Sequence, residues 1–222
     1  MPAALMTLNI AEWLDTSCRG FDLRIFGFFG SLHSEGLTKF MQIFTELGDA
    51  HFVIPMMVLG LILCFWKKTR RYGLTIFFSI FIGTLITNAI LKPLIDRPRP
   101  YVSLSANETF MQWYYEAGAL SESDNSFPSG HTTAAFEIAV GLFLVTKRKW
   151  ITWILPVIAL AVGGSRLYLM VHYPTDVIAG MCAGIIAGVL GYCVMRSLMT
   201  WMEHSDHGLG YKLNNINLFI KK

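Results

Sequence analysis

Three short blocks of this 222-residue chain carry side chains that could handle a phosphate group. The first block covers residues 92–100 and contains Lys92, Arg97 and Arg99 among three prolines. Each proline fixes a φ angle, which favours a rigid arrangement of the cations. A guanidinium fork combined with an ammonium group is a common way to bind a tetrahedral phosphate. On its own, the block is equally typical of basic side chains that extend to the headgroup level of a membrane.

The second block covers residues 126–131 and directly precedes an apolar segment. Ser129 is a favourable N-cap residue, so a helix is predicted to start here, with unpaired N–H groups in its first turn. Gly130 would let an anion approach those donors closely. His131 then lies at the mouth of the apolar segment. Considered alone, the block is most simply interpreted as a capped helix start beside a surface histidine.

The third block covers residues 165–176 and contains Arg166, His172 and Asp176. Pro174 suits the first position of a further helix. Asp176 is close enough in sequence to accept a hydrogen bond from one ring nitrogen of His172, which would fix the tautomer and aim the other nitrogen outward. A helix-capping aspartate beside an interfacial histidine explains this block equally well when it is taken alone.

The simpler interpretations fail when the three blocks are considered together. Two histidines allow the division of labour that phosphate ester cleavage needs, because one can attack phosphorus while the other protonates the leaving oxygen. Lys92, Arg99 and Arg166 would neutralise the phosphate oxygens in the transition state. No carboxylate cluster that suits magnesium or zinc accompanies the blocks, and none of the four cysteines forms a Cys-x-x-Cys pair. The chemistry is therefore predicted to be metal-independent, with no cofactor implied.

The composition indicates that these blocks are positioned by membrane helices. Hydrophobic residues make up 54% of the chain and charged residues only 15%, against about 25% charged in soluble domains. Apolar segments of roughly 20 residues can cross a bilayer as helices. The predicted fold is an all-α, polytopic transmembrane bundle of five or six spans. The five clear spans lie near residues 52–66, 73–91, 132–145, 150–164 and 177–199.

The chain is predicted to divide into three regions. Residues 1–50 would form short N-terminal helices at the membrane interface or packed on the bundle, since residues 37–47 show apolar side chains at helical spacing. Residues 51–202 would form the transmembrane core, and residues 203–222 a polar cytoplasmic tail. The polar connection at 93–128 is predicted to contain a local helix near residues 109–115. Whether residues 21–47 cross the membrane is left open.

The charge distribution predicts the orientation of the bundle. Basic clusters at residues 67–71 and 147–149, together with the tail, fall on one side in the five-span arrangement. The positive-inside tendency makes that side cytoplasmic. All three blocks then lie on the extracytoplasmic face, at the ends of spans and not through the bilayer.

The three blocks resemble the signature of the type-2 phosphatidic acid phosphatase superfamily: Lys-x6-Arg-Pro at 92–100, Pro-Ser-Gly-His at 128–131 and Ser-Arg-x5-His-x3-Asp at 165–176. The resemblance implies that His172 is a nucleophile that forms a phosphohistidine, that Asp176 orients it, and that His131 is the general acid. It further implies that the phosphate-binding residues are Lys92, Arg99, Ser129, Gly130 and Arg166.

The resemblance also implies a hydrolase of the cell envelope that acts on a lipid phosphate. Undecaprenyl diphosphate is the first candidate substrate, followed by phosphatidylglycerol phosphate and phosphatidic acid, at the outer face of the inner membrane. Family members commonly have six spans, whereas this sequence shows five clear ones.

Two alternatives remain open at this stage. A lipid phosphotransferase would use the same histidine and pass the phosphate to another lipid in place of water. A small membrane transporter would use Lys92, His131, Arg166 and His172 to line an ion path, although their placement at span ends suits a headgroup site better. The expected partners are a lipid substrate and the bilayer, with no nucleic acid, and no oligomeric state is predicted.

Overall fold

The computed structural model describes residues 3–147 and 149–216, and every regular element in these residues is helical. This confirms the predicted all-α class. A π-helical segment, Leu85–Leu91, follows the fifth helix directly. The α-helices in the described ranges are α1 (Ala3–Ser17), α2 (Arg19–Gly30), α3 (Glu35–Glu46), α4 (Ala50–Leu63), α5 (Arg70–Thr84), α6 (Lys92–Ile95), α7 (Pro100–Ser103), α8 (Glu108–Glu116), α9 (Gly130–Val145), α10 (Lys149–Thr152), α11 (Ile154–Tyr168), α12 (Pro174–Glu203) and α13 (Gly208–Asn215).

Several helices begin at residues that satisfy the free N–H groups of a first turn. The Ser129 side chain accepts a hydrogen bond from the Thr132 N–H, so Ser129 caps α9 as predicted. Pro174 occupies the start of α12, also as predicted. Asn107 caps α8, which confirms the predicted helix in the polar connection. These caps fix the chain where it enters and leaves the apolar segments.

The apolar segments of the sequence form the core of a membrane-spanning bundle. Three helical runs are long and apolar enough to cross a bilayer: Glu35–Leu63, Arg70–Ser103 and Pro174–Glu203. The helices α9 and α11 are apolar but shorter. Four of the predicted spans correspond to one helical run each, whereas the span at 150–164 begins in α10 and continues in α11. The number of crossings stays a prediction. The first run starts at α3, so the predicted boundary at residue 50 falls at the bend between α3 and α4.

The N-terminal helices pack on the bundle near one of its ends. Helix α2 lies against α11 and α12, and α3 lies along α11. Exposed aromatic side chains such as Phe28 and Phe40 remain on the outer surface of these helices. The predicted interfacial location of the helices in residues 1–50, which are α1 to α3, agrees with this surface and stays a prediction. In the predicted tail, α12 extends to Glu203 and α13 follows, while residues 217–222 lie outside the described residues.

A row of glycines on α12 sets how closely the central helices approach one another. A Cβ atom added at Gly184 would lie 2.6 Å from the Thr133 carbonyl oxygen of α9, and one at Gly191 would lie 2.5 Å from the Ser79 nitrogen of α5. Such distances are too short for any side chain, so the helices meet through their backbones. The extensive contacts of α12 with α9 and α5 make this the centre of the bundle.

We expect Gly191→Ala to lower the thermal unfolding temperature in detergent. The new methyl group would overlap the Ser79 backbone, and overpacking of this kind costs about 1–3 kcal/mol. Gly164→Ala is the matched control, because a Cβ at Gly164 meets nothing within 4 Å and alanine favours a helix by up to about 1 kcal/mol over glycine. Equal unfolding temperatures for the two variants would contradict close backbone packing at Gly191.

Candidate active site

The three sequence blocks converge around a cavity of about 860 Å³. Lys92 reaches the cavity from the first block, Gly130 and His131 from the second, and Arg166 from the third. Arg99 and His172 lie directly behind these groups, where they contact each other. The structure thus brings together residues that are separated by up to 84 positions in the chain (Lys92 to Asp176).

The three predicted phosphate-binding cations are all buried: Lys92 is 8% exposed, Arg99 3% and Arg166 1%. Two carboxylates of the connection between α8 and α9 offset two of these three positive charges. Glu122 pairs with Arg99 and Arg166, while Asp124 pairs with Lys92 and Arg99. These acidic partners were missed by the sequence reasoning. The two carboxylates form ion pairs with the same cationic groups that would bind phosphate oxygens.

The ion pairs of Asp124 shift its titration. Burial alone would raise the pKa of this carboxyl, but hydrogen bonds and charge from Lys92 and Arg99 outweigh burial and lower the pKa below its usual value. The carboxylate consequently stays ionised at neutral pH. A phosphate dianion would have to displace it to reach the cations.

His172 is completely buried and held in a defined tautomer. The Nε2 atom accepts a hydrogen bond from Arg99 Nη1 at 2.9 Å, which leaves the ring proton on Nδ1. Burial, together with the positive charges of Arg99, Arg166 and Lys92, holds the pKa of His172 well below its usual value. The ring is therefore neutral at physiological pH, with the Nε2 lone pair on the side of the cations.

Asp176 approaches the opposite side of the ring, but not in the way the sequence indicated. The distance from His172 Nδ1 to Asp176 Oδ2 is 3.6 Å, which is too long for a direct hydrogen bond. The Ser126 hydroxyl bridges the gap, donating to Asp176 Oδ2 at 2.5 Å and lying 3.4 Å from Nδ1. Ser126 thus links His172 to Asp176. In the sequence, only its position in the second block could have suggested this link.

Arg97 forms a buried ion pair with Asp176. Its Nη1 donates to Asp176 Oδ1 at 2.6 Å and its Nε to Asp15 Oδ1 at 2.8 Å. Asp22 lies 3.3 Å from the same guanidinium, which stacks 3.6 Å from the centre of the Tyr173 ring. The carboxylate partners of Arg97 therefore belong to α1, α2 and α12, whereas those of Lys92 and Arg99 belong to the connection between α8 and α9. Arg97 ties the N-terminal helices to Asp176.

His131 lines the same cavity as Lys92 and Arg166, at the start of α9. Its Nε2 is 3.6 Å from Asp49 Oδ2, and a Cβ on Gly48 would come within 2.8 Å of the His131 backbone. The same bend of the chain supplies Thr45, whose hydroxyl accepts a hydrogen bond from Arg166 at 2.7 Å. The α3–α4 bend is thus part of the site.

Ser129 and Gly130 form the backbone side of the cavity. The Ser129 hydroxyl is engaged in capping α9 and accepts a hydrogen bond from Thr132 Oγ1 at 2.9 Å. A Cβ at Gly130 would lie 3.6 Å from Lys92 Nζ, so the helix start faces the ammonium group directly. A helix N-terminus beside an ammonium group is a favourable environment for an anion.

Comparison with known proteins identifies the family. The model of the PAP2 superfamily matches residues 71–199. The chain belongs to the PAP2 superfamily. It is therefore a membrane phosphatase of the hydrolase class.

Named relatives span several lipid phosphatases. An undecaprenyl-diphosphatase of Sulfolobus acidocaldarius is 32% identical, with 74% of each chain covered. A lipid A 4'-phosphatase of Bacteroides thetaiotaomicron is 26% identical, with 89% of each chain covered. The crystal structure of a transmembrane PAP2-type phosphatidylglycerolphosphate phosphatase from Bacillus subtilis superimposes with a TM-score of 0.66 at 28% identity, covering 88% of this chain and 94% of that one.

We expect the double variant Glu122→Gln and Asp124→Asn to bind phosphate analogues more tightly in this PAP2 enzyme. Removing the two negative charges removes the groups that compete with phosphate for Lys92, Arg99 and Arg166. The inhibition constant of tungstate should fall at least threefold, as measured by competition in detergent.

Glu108→Gln serves as the control for that variant, because Glu108 is exposed at the start of α8. It should leave tungstate inhibition unchanged. An unchanged or higher inhibition constant in the double variant would show that the carboxylates do not compete with the anion.

The lowered pKa of His172 predicts that its ring stays neutral as the pH falls through 6.5 and becomes charged only at lower pH. In spectra of ¹⁵N-histidine-labelled protein, the signal that disappears in His172→Gln should not titrate between pH 8 and pH 6.5. A histidine in a model peptide, with a pKa of about 6.5, provides the reference curve. A midpoint at or above that of the peptide would refute the inferred environment.

Proposed function

We propose that this PAP2 enzyme hydrolyses a lipid phosphate or diphosphate through a phosphohistidine intermediate on His172, without a metal ion. The observation that carries the proposal is the buried, neutral ring of His172, whose Nε2 lone pair lies beside Arg99 and the other cations. A nucleophile of this kind must be unprotonated and oriented before the substrate arrives.

The first half-reaction forms a bond from His172 Nε2 to phosphorus and breaks the bond from phosphorus to the leaving oxygen. Burial and the nearby cations lower the pKa of His131 to about 4 in the free protein, so the ring takes up its proton when the negatively charged substrate binds. His131 then donates that proton to the leaving oxygen as it departs. The Nδ1 proton stays on the ring, where Ser126 and Asp176 stabilise the positive charge that develops on the imidazole. Arg97 holds Asp176 in place and does not contact the substrate.

The second half-reaction is the attack of water on the phosphohistidine. His131, now neutral, takes a proton from the water, the nitrogen–phosphorus bond breaks, and inorganic phosphate leaves. When the substrate binds, its phosphate oxygens displace Glu122 and Asp124 from the cations. These oxygens then stay bound to Lys92, Arg99 and Arg166 through both steps. The Gly130 N–H in the first turn of α9 provides a further donor, and Ser129 positions that turn by capping it.

The proposed substrate is a lipid phosphate of the cell envelope. Undecaprenyl diphosphate, phosphatidylglycerol phosphate and phosphatidic acid are the candidates that the sequence suggests. The names of the relatives support the first two and add lipid A. All of them present a terminal phosphate at the membrane surface. The loop at residues 120–124 and the α3–α4 bend, which both line the cavity, would receive it there.

We further propose that the site faces the extracytoplasmic side of the inner membrane. The opposite end of the bundle carries Lys67, Lys68, Arg70 and Arg71, and Arg70 donates to the Ile216 carbonyl at 2.5 Å. This contact supports a tail that lies with the basic cluster at one end of the bundle. By the positive-inside tendency that end is cytoplasmic, and the core at residues 51–202 would be the catalytic domain.

The proposed mechanism predicts that phosphate release survives EDTA and is abolished by His172→Ala. The purified protein in detergent should be assayed with undecaprenyl diphosphate, phosphatidylglycerol phosphate and phosphatidic acid. We expect His172→Ala to lose at least three orders of magnitude in rate, as is typical of lost nucleophiles. Reactions with ³²P-labelled substrate that are quenched in alkaline detergent should trap an alkali-stable, acid-labile label on the wild-type protein only.

His204→Ala is the matched control, because His204 is exposed at the far end of α12, and it should retain full activity. Release that EDTA abolishes would overturn the metal-independent mechanism. A folded His172→Ala variant with near-normal activity would overturn the role of the histidine.

A further inference from the structure

The cavity continues beyond the catalytic groups into the apolar part of the bundle. Its deeper walls are formed by Val53 and Ile54 of α4, by the π-helical segment, and by α9. Apolar side chains would be expected there if the cavity received only hydrocarbon. The walls instead include Thr84, Thr87 and Asn88 and end at the carboxyl group of Glu137.

Glu137 is the residue whose environment indicates a ligand in this part of the cavity. The residue is 1% exposed, and its Oε2 atom has no hydrogen-bond partner among the described residues. No ion pair to Glu137 is formed within the described parts of the chain. A buried polar atom without a partner is costly and uncommon in native proteins. An occupant of the cavity that donates a hydrogen bond would remove this cost.

The neighbouring helix leaves room for this carboxyl group. A Cβ at Gly83 of α5 would lie 1.5 Å from Glu137 Oε2, so any other residue at position 83 would displace the side chain. Gly83 and Glu137 both line the cavity. The absence of a side chain at Gly83 therefore provides the space for this carboxyl group where α5 packs against α9.

The π-helical segment places further polar groups in the same part of the cavity. The Lys92 N–H bonds to the Thr87 carbonyl, five residues earlier, which is the π-helical pattern. Such segments occur frequently at functional sites. Here the segment carries Thr87 and Asn88 of the deep polar wall and ends next to Lys92, so it connects the two parts of the cavity.

We propose that Glu137, with Thr87 and Asn88, forms a subsite for hydroxyl or amide N–H groups on the phosphate-bearing part of the lipid. This inference rests on the proposed lipid phosphatase function and deepens it. Glu137 follows His131 by six residues on α9, which corresponds to about 9 Å along a helix. The subsite would therefore contact groups within about that distance of the phosphate being removed.

The chemistry of the subsite distinguishes the candidate lipids. A carboxyl oxygen accepts hydrogen bonds from hydroxyl or amide donors. The headgroup glycerol of phosphatidylglycerol phosphate carries a hydroxyl, and lipid A carries hydroxyl and amide donors on its sugar and acyl groups. A polyprenyl chain has no donors near its diphosphate, and the esters of phosphatidic acid are acceptors only. Glu137 would therefore assist the first two lipids and not the last two.

The test measures kcat/KM for each of the four lipids in detergent. It uses the wild-type enzyme, Glu137→Leu and Glu137→Gln. Loss of one hydrogen bond at a buried site should lower kcat/KM about tenfold. We expect Glu137→Leu to show this loss with phosphatidylglycerol phosphate and lipid A, and to stay within twofold of wild type with undecaprenyl diphosphate and phosphatidic acid. Glu137→Gln, which keeps an amide oxygen acceptor, should retain most of the activity toward the donor-bearing lipids.

Ser79→Ala is the control, since Ser79 is also buried with an unpartnered hydroxyl but does not line the cavity. It should leave all four activities unchanged, and thermal unfolding should show that every variant is folded. Equal losses with all four lipids, or no loss with any, would overturn the subsite. It would also be overturned if the wild type hydrolysed undecaprenyl diphosphate but neither donor-bearing lipid. Failure of the wild type on every lipid would instead overturn the proposed phosphatase function.

Discussion

The structure depends on holding three cations together in a buried site. Lys92, Arg99 and Arg166 would repel one another strongly in this low-dielectric environment if nothing neutralised them. Glu122 and Asp124 supply the missing negative charge. A bound phosphate would supply the same charge with a geometry that suits guanidinium groups better. The connection between α8 and α9 is therefore both a structural counter-ion in the free enzyme and a competitor for the substrate.

This electrostatic arrangement requires the supporting helices to meet at fixed positions. Ser129 and His131 lie in the first turn of α9, and Asp176 lies in the first turn of α12. The glycine row of α12 brings these two helices into backbone contact, and the Ser129 N–H donates to the Asp176 carbonyl oxygen at 3.1 Å. Small residues deep in the bundle thus control the separation of catalytic groups at its end. Stability and catalysis draw on the same helix contact.

The parts of the site that could be predicted from sequence are those fixed by local chemistry. The Ser129 cap and the start of α12 at Pro174 follow from backbone preferences of neighbouring residues, and the phosphate-handling blocks follow from residue type and spacing. Contacts of Arg97 with Asp15 and Asp22 join residues 75 or more positions apart. Their existence depends on the final packing of α1 and α2, about which local spacing carries no information. The Ser126 bridge was missed for the same reason, because it forms only when α12 reaches the second block.

Glu137 illustrates a different limit of sequence reasoning. A single glutamate barely changes the mean hydropathy of an apolar segment, so the segment is still predicted correctly as an apolar helix. An ionisable residue within such a helix is nevertheless a signal in its own right, since burying it in the bilayer is expensive unless a partner or a polar cavity receives it. The structure provides that cavity and opens the necessary space at Gly83. The polar path from Glu137 to Lys92 then places selection of the lipid inside the bundle, while the phosphate chemistry occurs at its end.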